Sequence, residues 1–277
     1  MPNSISGAPN GTGAGSVTSM LSADAPGTYA NGIGDGLAIT DRVGDAPLST
    51  SNSQSYNMIP SNKSPYVPGY VGNQIANNFS MTFDGSNDYI DVGTGLKSTF
   101  DGATAFTISA WFKYDTANPN YSTIIQQEYT VAGDNYLATV RLSNTSTPQI
   151  SNRNVTLTDT TALNSGQWYH IVSVFDGSSQ TLTMYIDGTQ VAQNTSAGSS
   201  MPTSASGSKC IIGANANNDR FLDGSIDEVA IFDTALNAGQ IKNDIYNASL
   251  PLSSNKTADL VNNPNLPTPV AWYRMGD

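Results

Sequence analysis

The chain has 277 residues, of which 38% are apolar and only 12% charged, with a formal net charge of −11. That length holds one good-sized domain with appendages, or two small domains, and a remainder rich in Ser, Thr, Asn and Gly suits a β-sandwich with polar loops while excluding a helical bundle. The acidic balance excludes a nucleic-acid backbone as partner.

Residues 1–78 show no sustained periodicity of either kind. Their apolar residues come singly or in pairs, too few to offset the ordering entropy of the segment by itself. Two readings follow: a disordered tail, or an extended arm that orders against an identical subunit or another protein. The arm is the preferred reading, with Tyr56, Met58, Ile59, Tyr66, Val67 and Tyr70 as anchors and Pro60, Pro65 and Pro68 as stiffeners. The first fifteen residues carry neither a basic residue nor an apolar run, so a secretory signal is not expected there. No apolar run approaches the roughly 20 residues that span a bilayer, so membrane insertion is not expected either.

From Phe79 the pattern changes. Ser80 to Gly93 predicts two short strands around the acidic turn Asp84-Gly85-Ser86-Asn87-Asp88, where Gly and Asn tolerate positive φ. Phe106 to Tyr114 alternates large apolar with small polar residues, as a half-buried strand does. Segments 122–127, 135–142 and 155–158 read likewise. Trp168 to Phe175 and Thr181 to Ile186 follow, and Asp187-Gly188 predicts a tight primed turn into Thr189–Ala192. Segments 209–213 and 225–232 complete the strands. Closely spaced antiparallel strands predict an all-β, two-sheet jelly-roll sandwich over residues 79–250. One short helix is predicted after Asn237, with Ile241, Ile245 and Tyr246 at helical spacing and Pro251 as its stop. Residues 251–277 read as a linker and a strand-like tail, Val270 to Asp277. Cys210 is the only cysteine, which leaves no intrachain disulfide and predicts a small buried apolar residue.

The blocks FDGSNDYIDVG, FTISAWFK, WYHIVSVFDG, LTMYIDGTQV and GSIDEVAIFDTAL occur in this order. Together they resemble the laminin-G-like jelly rolls of the concanavalin A-like lectin/glucanase superfamily. The resemblance implies Trp111, Trp168, Tyr169, Phe175, Tyr185 and Ile231 in or near the core. It also implies that VAWYRMGD, which resembles the family's opening strand, stands after the domain here: either the strand is permuted or a further module begins. Similarity to laminin-G-like domains of marine bacteriophage structural proteins implies a virion or extracellular surface setting, with other virion proteins or identical subunits as partners of the arm.

The glucanase branch needs paired carboxylates on one strand. The only glutamates, Glu128 and Glu228, are far apart in sequence, and Glu228 follows Asp227, which on a strand turns the two side chains to opposite faces. No catalytic residue is therefore assigned. His170 reads as a strand histidine packed between aromatics with one nitrogen hydrogen-bonded, in preference to a general base. In the family fold the FDG turn and the IDEV strand are neighbours, so Asp84, Asn87, Asp88 and Asp227 form a candidate calcium site. The preferred alternative gives these side chains to backbone N–H groups in Asx-turns. Carbohydrate binding, the family's frequent use, points to Tyr121 and Tyr129 with Asn215, Asn217, Asn218, Asp219 and Arg220, and to cell-surface glycans as partners. The preferred expectation is a non-enzymatic structural or interaction protein of a virion, and the alternative a carbohydrate-binding module of a surface adhesin. A glycoside hydrolase or polysaccharide lyase ranks last.

Overall fold

The computed structural model of the chain describes residues 80–130, 136–217, 219–249 and 258–275. The expected arm with Tyr56, Met58, Ile59, Tyr66, Val67 and Tyr70 lies outside the described residues, as does Asn218.

The alternating segments form two stacked antiparallel sheets. The chain order is β1 (Met81–Asp84), β2 (Ile90–Gly93), a single turn α1 (Lys97–Phe100), β3 (Ala105–Thr116), β4 (Tyr121–Glu128), β5 (Tyr136–Ser143), β6 (Pro148–Asn152), β7 (Thr156–Thr158), β8 (Trp168–Asp176), β9 (Thr181–Ile186), β10 (Thr189–Asn194), β11 (Cys210–Ile212) and β12 (Asp223–Phe232). The helix α2 (Gln240–Tyr246) runs into α3 (Asn247–Ser249), and β13 (Ala271–Tyr273) comes last. One sheet runs β10-β9-β8-β3-β12-β13, with β1 also on β12; the other runs β2-β11-β4-β5-β6-β7.

The strands around the acidic turn form as expected, but they do not pair with each other. β1 joins β12 in the larger sheet and β2 joins β11 in the smaller, so this turn crosses between the layers. The Asp187-Gly188 turn does close the β9–β10 hairpin, with φ of 50° and 72° at the two residues. Only glycine serves at 188: its φ is left-handed, and a Cβ there would come within 2.9 Å of the Tyr246 ring. Strand β6 was not predicted. It begins at Pro148, and a proline at the first strand position needs no ladder donor.

β1 and β13 share one edge of β12. β1 pairs with residues 223–226 and β13 with residues 229–231. Between them β12 bulges, and Glu228 takes a φ of 51°. The C-terminal segment that resembles an opening strand is thus built into this same sheet.

The core between the layers is aromatic and aliphatic: Phe100, Phe106, Phe112, Phe175, Ile124 and Leu142 are fully buried. Of the expected core residues, Trp111, Phe175, Tyr185 and Ile231 are buried, while Trp168 and Tyr169 are half-buried. A second cluster lies on the outer side of the larger sheet, where Val172, Val174, Ala230 and Phe232 meet Ile241 and Ile245 of α2, and Leu260 and Leu266. The helix begins at a reciprocal cap: Asn237 Oδ1 accepts from the Gln240 N–H and Gln240 Oε1 from the Asn237 N–H, both at 3.0 Å. It is wound as a π-helix, so its bonds run i to i+5. Among the described residues no helix is long and apolar enough to cross a membrane.

Candidate functional site

Strand alternation sorts the smaller sheet into two faces. Ile125, Val140, Ile150 and Leu157 turn into the core, so their neighbours Gln126, Thr139, Arg141, Gln149 and Ser151 turn outward. Tyr121 and Tyr136, both half-buried, stand on this outer face on β4 and β5. Between them lies Arg141, whose guanidinium is 4.1 Å from the Tyr121 ring centroid and 5.2 Å from that of Tyr136.

Hydrogen bonds lock the ladder around it. Arg141 Nε donates to Gln149 Oε1 at 3.0 Å, and Gln149 Nε2 donates to Thr158 Oγ1 at 3.1 Å. The Ser151 and Thr156 hydroxyls lie 2.8 Å apart. Burial alone would raise the Tyr136 hydroxyl pKa. Hydrogen bonds with Thr156 and Ser151 and the Arg141 charge outweigh that, and hold it below its ordinary value.

Arg141 is only 6% exposed. Among the described residues no carboxylate lies within ion-pair distance of it. The acid on the same face, Glu128, stands opposite Tyr136, five residues along β4 from Thr123, the strand partner of Arg141. Cation–π contacts are worth about 0.5–2 kcal/mol each, whereas holding an ion out of water without a counter-charge costs of order several kcal/mol. Two tyrosine rings do not close that gap.

The sequence-nominated sugar residues divide. Tyr121 and Arg220 do meet, with the Arg220 guanidinium 5.0 Å from the Tyr121 centroid. Tyr129 lies beyond the far end of β4, roughly 25 Å from Tyr121 by strand rise, beneath the Arg153 guanidinium at 4.7 Å. Asn215 is buried and accepts the Asp219 N–H at 3.0 Å, which closes its own loop. Asn217 and Asp219 are exposed.

The acidic turn is held from within. Asp84 Oδ1 accepts the N–H groups of Ser86 and Asn87 at 2.8 and 3.3 Å, and Asp88 Oδ2 accepts the Asp84 N–H at 3.1 Å. Asp227 does not join them. Asp84 faces Asp223 across the ladder, and Asp227 is four residues further on, about 13 Å away, opposite Trp111. Among the described residues no three His, Cys, Asp or Glu side chains gather as metal ligands.

The two glutamates sit in different sheets, Glu128 in β4 and Glu228 in β12. The expectation that Asp227 and Glu228 face opposite ways is corrected by the bulge. Asp227 accepts the Glu228 N–H at 2.9 Å on the outer side, and Glu228 Oε1 accepts the Trp272 indole N–H at 2.7 Å, also on that side. His170 lies fully buried between Trp111 and Tyr246, at centroid distances of 5.2 and 5.8 Å. Its Nε2 meets Ser109 Oγ at 2.9 Å and its Nδ1 has no hydrogen-bond partner. Burial pushes its pKa down to about 3. This neutral, aromatic-flanked imidazole is the packed strand histidine that the sequence suggested.

Sequence reasoning missed Tyr136, Arg141 and Gln149. The signal available was an arginine at alternate spacing with Thr139 in an otherwise apolar strand, and it becomes meaningful only once β6 supplies Gln149 alongside.

Comparison with known proteins bears on the fold. A family model described as the concanavalin A-like lectin/glucanases superfamily matches residues 84–242, more than half of the chain. A candidate carbohydrate-binding protein from Bacteroides ovatus is similar over 72% of this chain and 52% of its own, at 16% identity and a TM-score of 0.53. This chain therefore spans about half the length of that protein. A heptameric pentraxin from Limulus polyphemus is similar over 60% of this chain and 81% of its own, at 15% identity and a TM-score of 0.47. The CBM40 of a Ruminococcus gnavus sialidase, solved with α2,3-sialyllactose, is similar over 61% of this chain and 95% of its own, at 13% identity and a TM-score of 0.47. No match was found among the curated proteins.

Proposed function

As the chain belongs to the concanavalin A-like lectin/glucanases superfamily, we propose that its jelly roll is a non-catalytic module that binds carbohydrate on the outer face of the smaller sheet. One observation carries this reading: Tyr121 and Tyr136 stand beside a ladder of hydrogen-bonding groups, Gln149, Ser151, Thr156 and Thr158, on adjacent strands. A sugar presents an apolar C–H face and a rim of hydroxyls, and it is held by flat apolar platforms next to fixed donors and acceptors. A sheet holds such groups more rigidly than loops do. The separation of Glu128 from Glu228 supports a binding role over retaining hydrolysis, which requires two carboxyls only about 5–5.5 Å apart. The description of the Bacteroides ovatus protein as a candidate carbohydrate binder lends analogy alone.

A glycan array probed with the full chain tests the reading. Reproducible binding to a sugar class is expected, weakened tenfold or more by Tyr121→Ala and by Tyr136→Ala in chains that keep their unfolding midpoint. Silence across the array, or affinities unmoved by both changes, would overturn it.

The proposed setting is an extracellular or virion surface, with residues 1–78 as the arm that grips identical subunits or other virion proteins. Limited proteolysis tests it: the arm should be protected in assembled particles and cut in the free protein, and equal cutting in both counts against it.

A further inference from the structure

We infer that the outer face of the smaller sheet selects a carboxylate-bearing sugar, a uronic or sialic acid residue, whose acid group pairs with Arg141. This rests on the carbohydrate-binding reading above and adds the class of sugar.

Arg141 is a charge in search of a partner. It is almost wholly buried, it sits between two tyrosine rings, and its Nε is committed to Gln149 Oε1. Its guanidinium also hydrogen-bonds the Tyr136 hydroxyl, but the fork, the part that grips a carboxylate through two parallel bonds, meets no carboxylate among the described residues. Two bland readings compete. The first is a guanidinium that merely fills space between rings, but an apolar residue would do that without burying an unbalanced cation. The second is an ion pair with a neighbouring acid, but Asp219 approaches Arg220, at 3.9 Å, and Asp91 is taken by Lys209 at 2.7 Å.

Arg220 adds a second guanidinium beside Tyr121, so cationic groups flank the same ring. The chain's net charge of −11 opposes anions at long range, but that field is screened beyond about 8 Å at physiological salt, and the contact is decided by the local charge. The surrounding hydroxyls and amides then suit the sugar ring that carries the acid: Gln149 lies on β6, next to the strand of Arg141, and Thr156 and Thr158 on β7 beyond it.

The test uses matched pairs that differ in charge alone or in the acidic residue alone, titrated calorimetrically into the full chain: trigalacturonate against its methyl ester, and 3′-sialyllactose against lactose, with acetate as a free carboxylate. At least one acidic member should bind tenfold or more tighter than its neutral partner. Arg141→Gln should erase that preference, and Arg141→Lys should keep part of it. Equal affinity for neutral and acidic members overturns the inference and leaves carbohydrate binding standing. Binding of acetate as tight as that of the acidic sugar overturns it as a mere anion site. No binding to any member of an array overturns the inference and the carbohydrate reading together. Should Arg141→Gln not fold, the matched pairs on the unaltered chain decide the matter.

Discussion

The Trp272 indole N–H donates to Glu228 Oε1 at 2.7 Å, and this bond ties the last strand to the sheet at the point where β12 bulges. Arg274 adds its charge from 4.0 Å. The bulge has a use: it turns Glu228 to the side where β13 arrives, after β1 has left the edge of β12 free at residue 226. Trp272→Phe keeps the apolar ring and removes the donor, so a buried carboxylate oxygen loses a bond. A cost of about 1–3 kcal/mol is expected, read as a lower urea midpoint with an unchanged slope. An unchanged midpoint would mean that the strand is held by its backbone ladder alone.

His170 makes stability fall in mild acid. Its folded pKa is depressed to about 3 from 6.5, so between these values the unfolded chain binds a proton that the folded chain refuses. Stability therefore rises with pH across this window, by at most about 1.4 kcal/mol per pH unit from this residue. Asp187, whose carboxyl is raised by burial and which accepts the His170 backbone N–H, opposes this only nearer the carboxylate range. Urea melts at pH 7 and pH 5.5 should show the loss, and His170→Gln should flatten it. Equal pH slopes for the two chains would show that the protonation is taken up elsewhere.

Cys210 should report global unfolding. The side chain is fully buried, and burial pushes its thiol up to about 12. The thiolate is the reactive form, so a thiol reagent at pH 8 should label the native chain only as fast as it opens, with complete labelling in denaturant. Rapid labelling under native conditions would show that β11 opens locally.

The acidic turn should be indifferent to chelator. Asp84 and Asp88 already spend carboxylate oxygens on backbone N–H groups of the same turn, and Asp227 lies about 13 Å from Asp84 along the ladder. Excess EDTA is expected to leave the melting temperature unmoved. Asp84→Ala is expected to lower stability by about 0.5–2 kcal/mol through loss of these bonds, by analogy with helix caps. A drop in melting temperature with EDTA, reversed by calcium, would instead place a calcium ion at this turn.

What the amino-acid order settled by itself was local. Period-two alternation from Phe106 to Tyr114 or Thr181 to Ile186 is a property of neighbouring residues, and so are the Asp187-Gly188 turn and the Asn237 cap. These sufficed for an all-β sandwich with a short helix near its end. The tertiary structure decided what those elements stand beside. Alternation says which residues share a face but not which strand lies next to it. Tyr121, Arg141 and Gln149 therefore come together only through the β4-β5-β6 pairing, and β6 is opened by a proline that hides it. The bulge at Glu228 likewise overrode the alternation that would have set it opposite Asp227, because a strand arriving from some forty residues away had to be met on that side. Pairing between distant segments is bought with loop-closure entropy and repaid by burial of the whole core, a balance that no short stretch of sequence records.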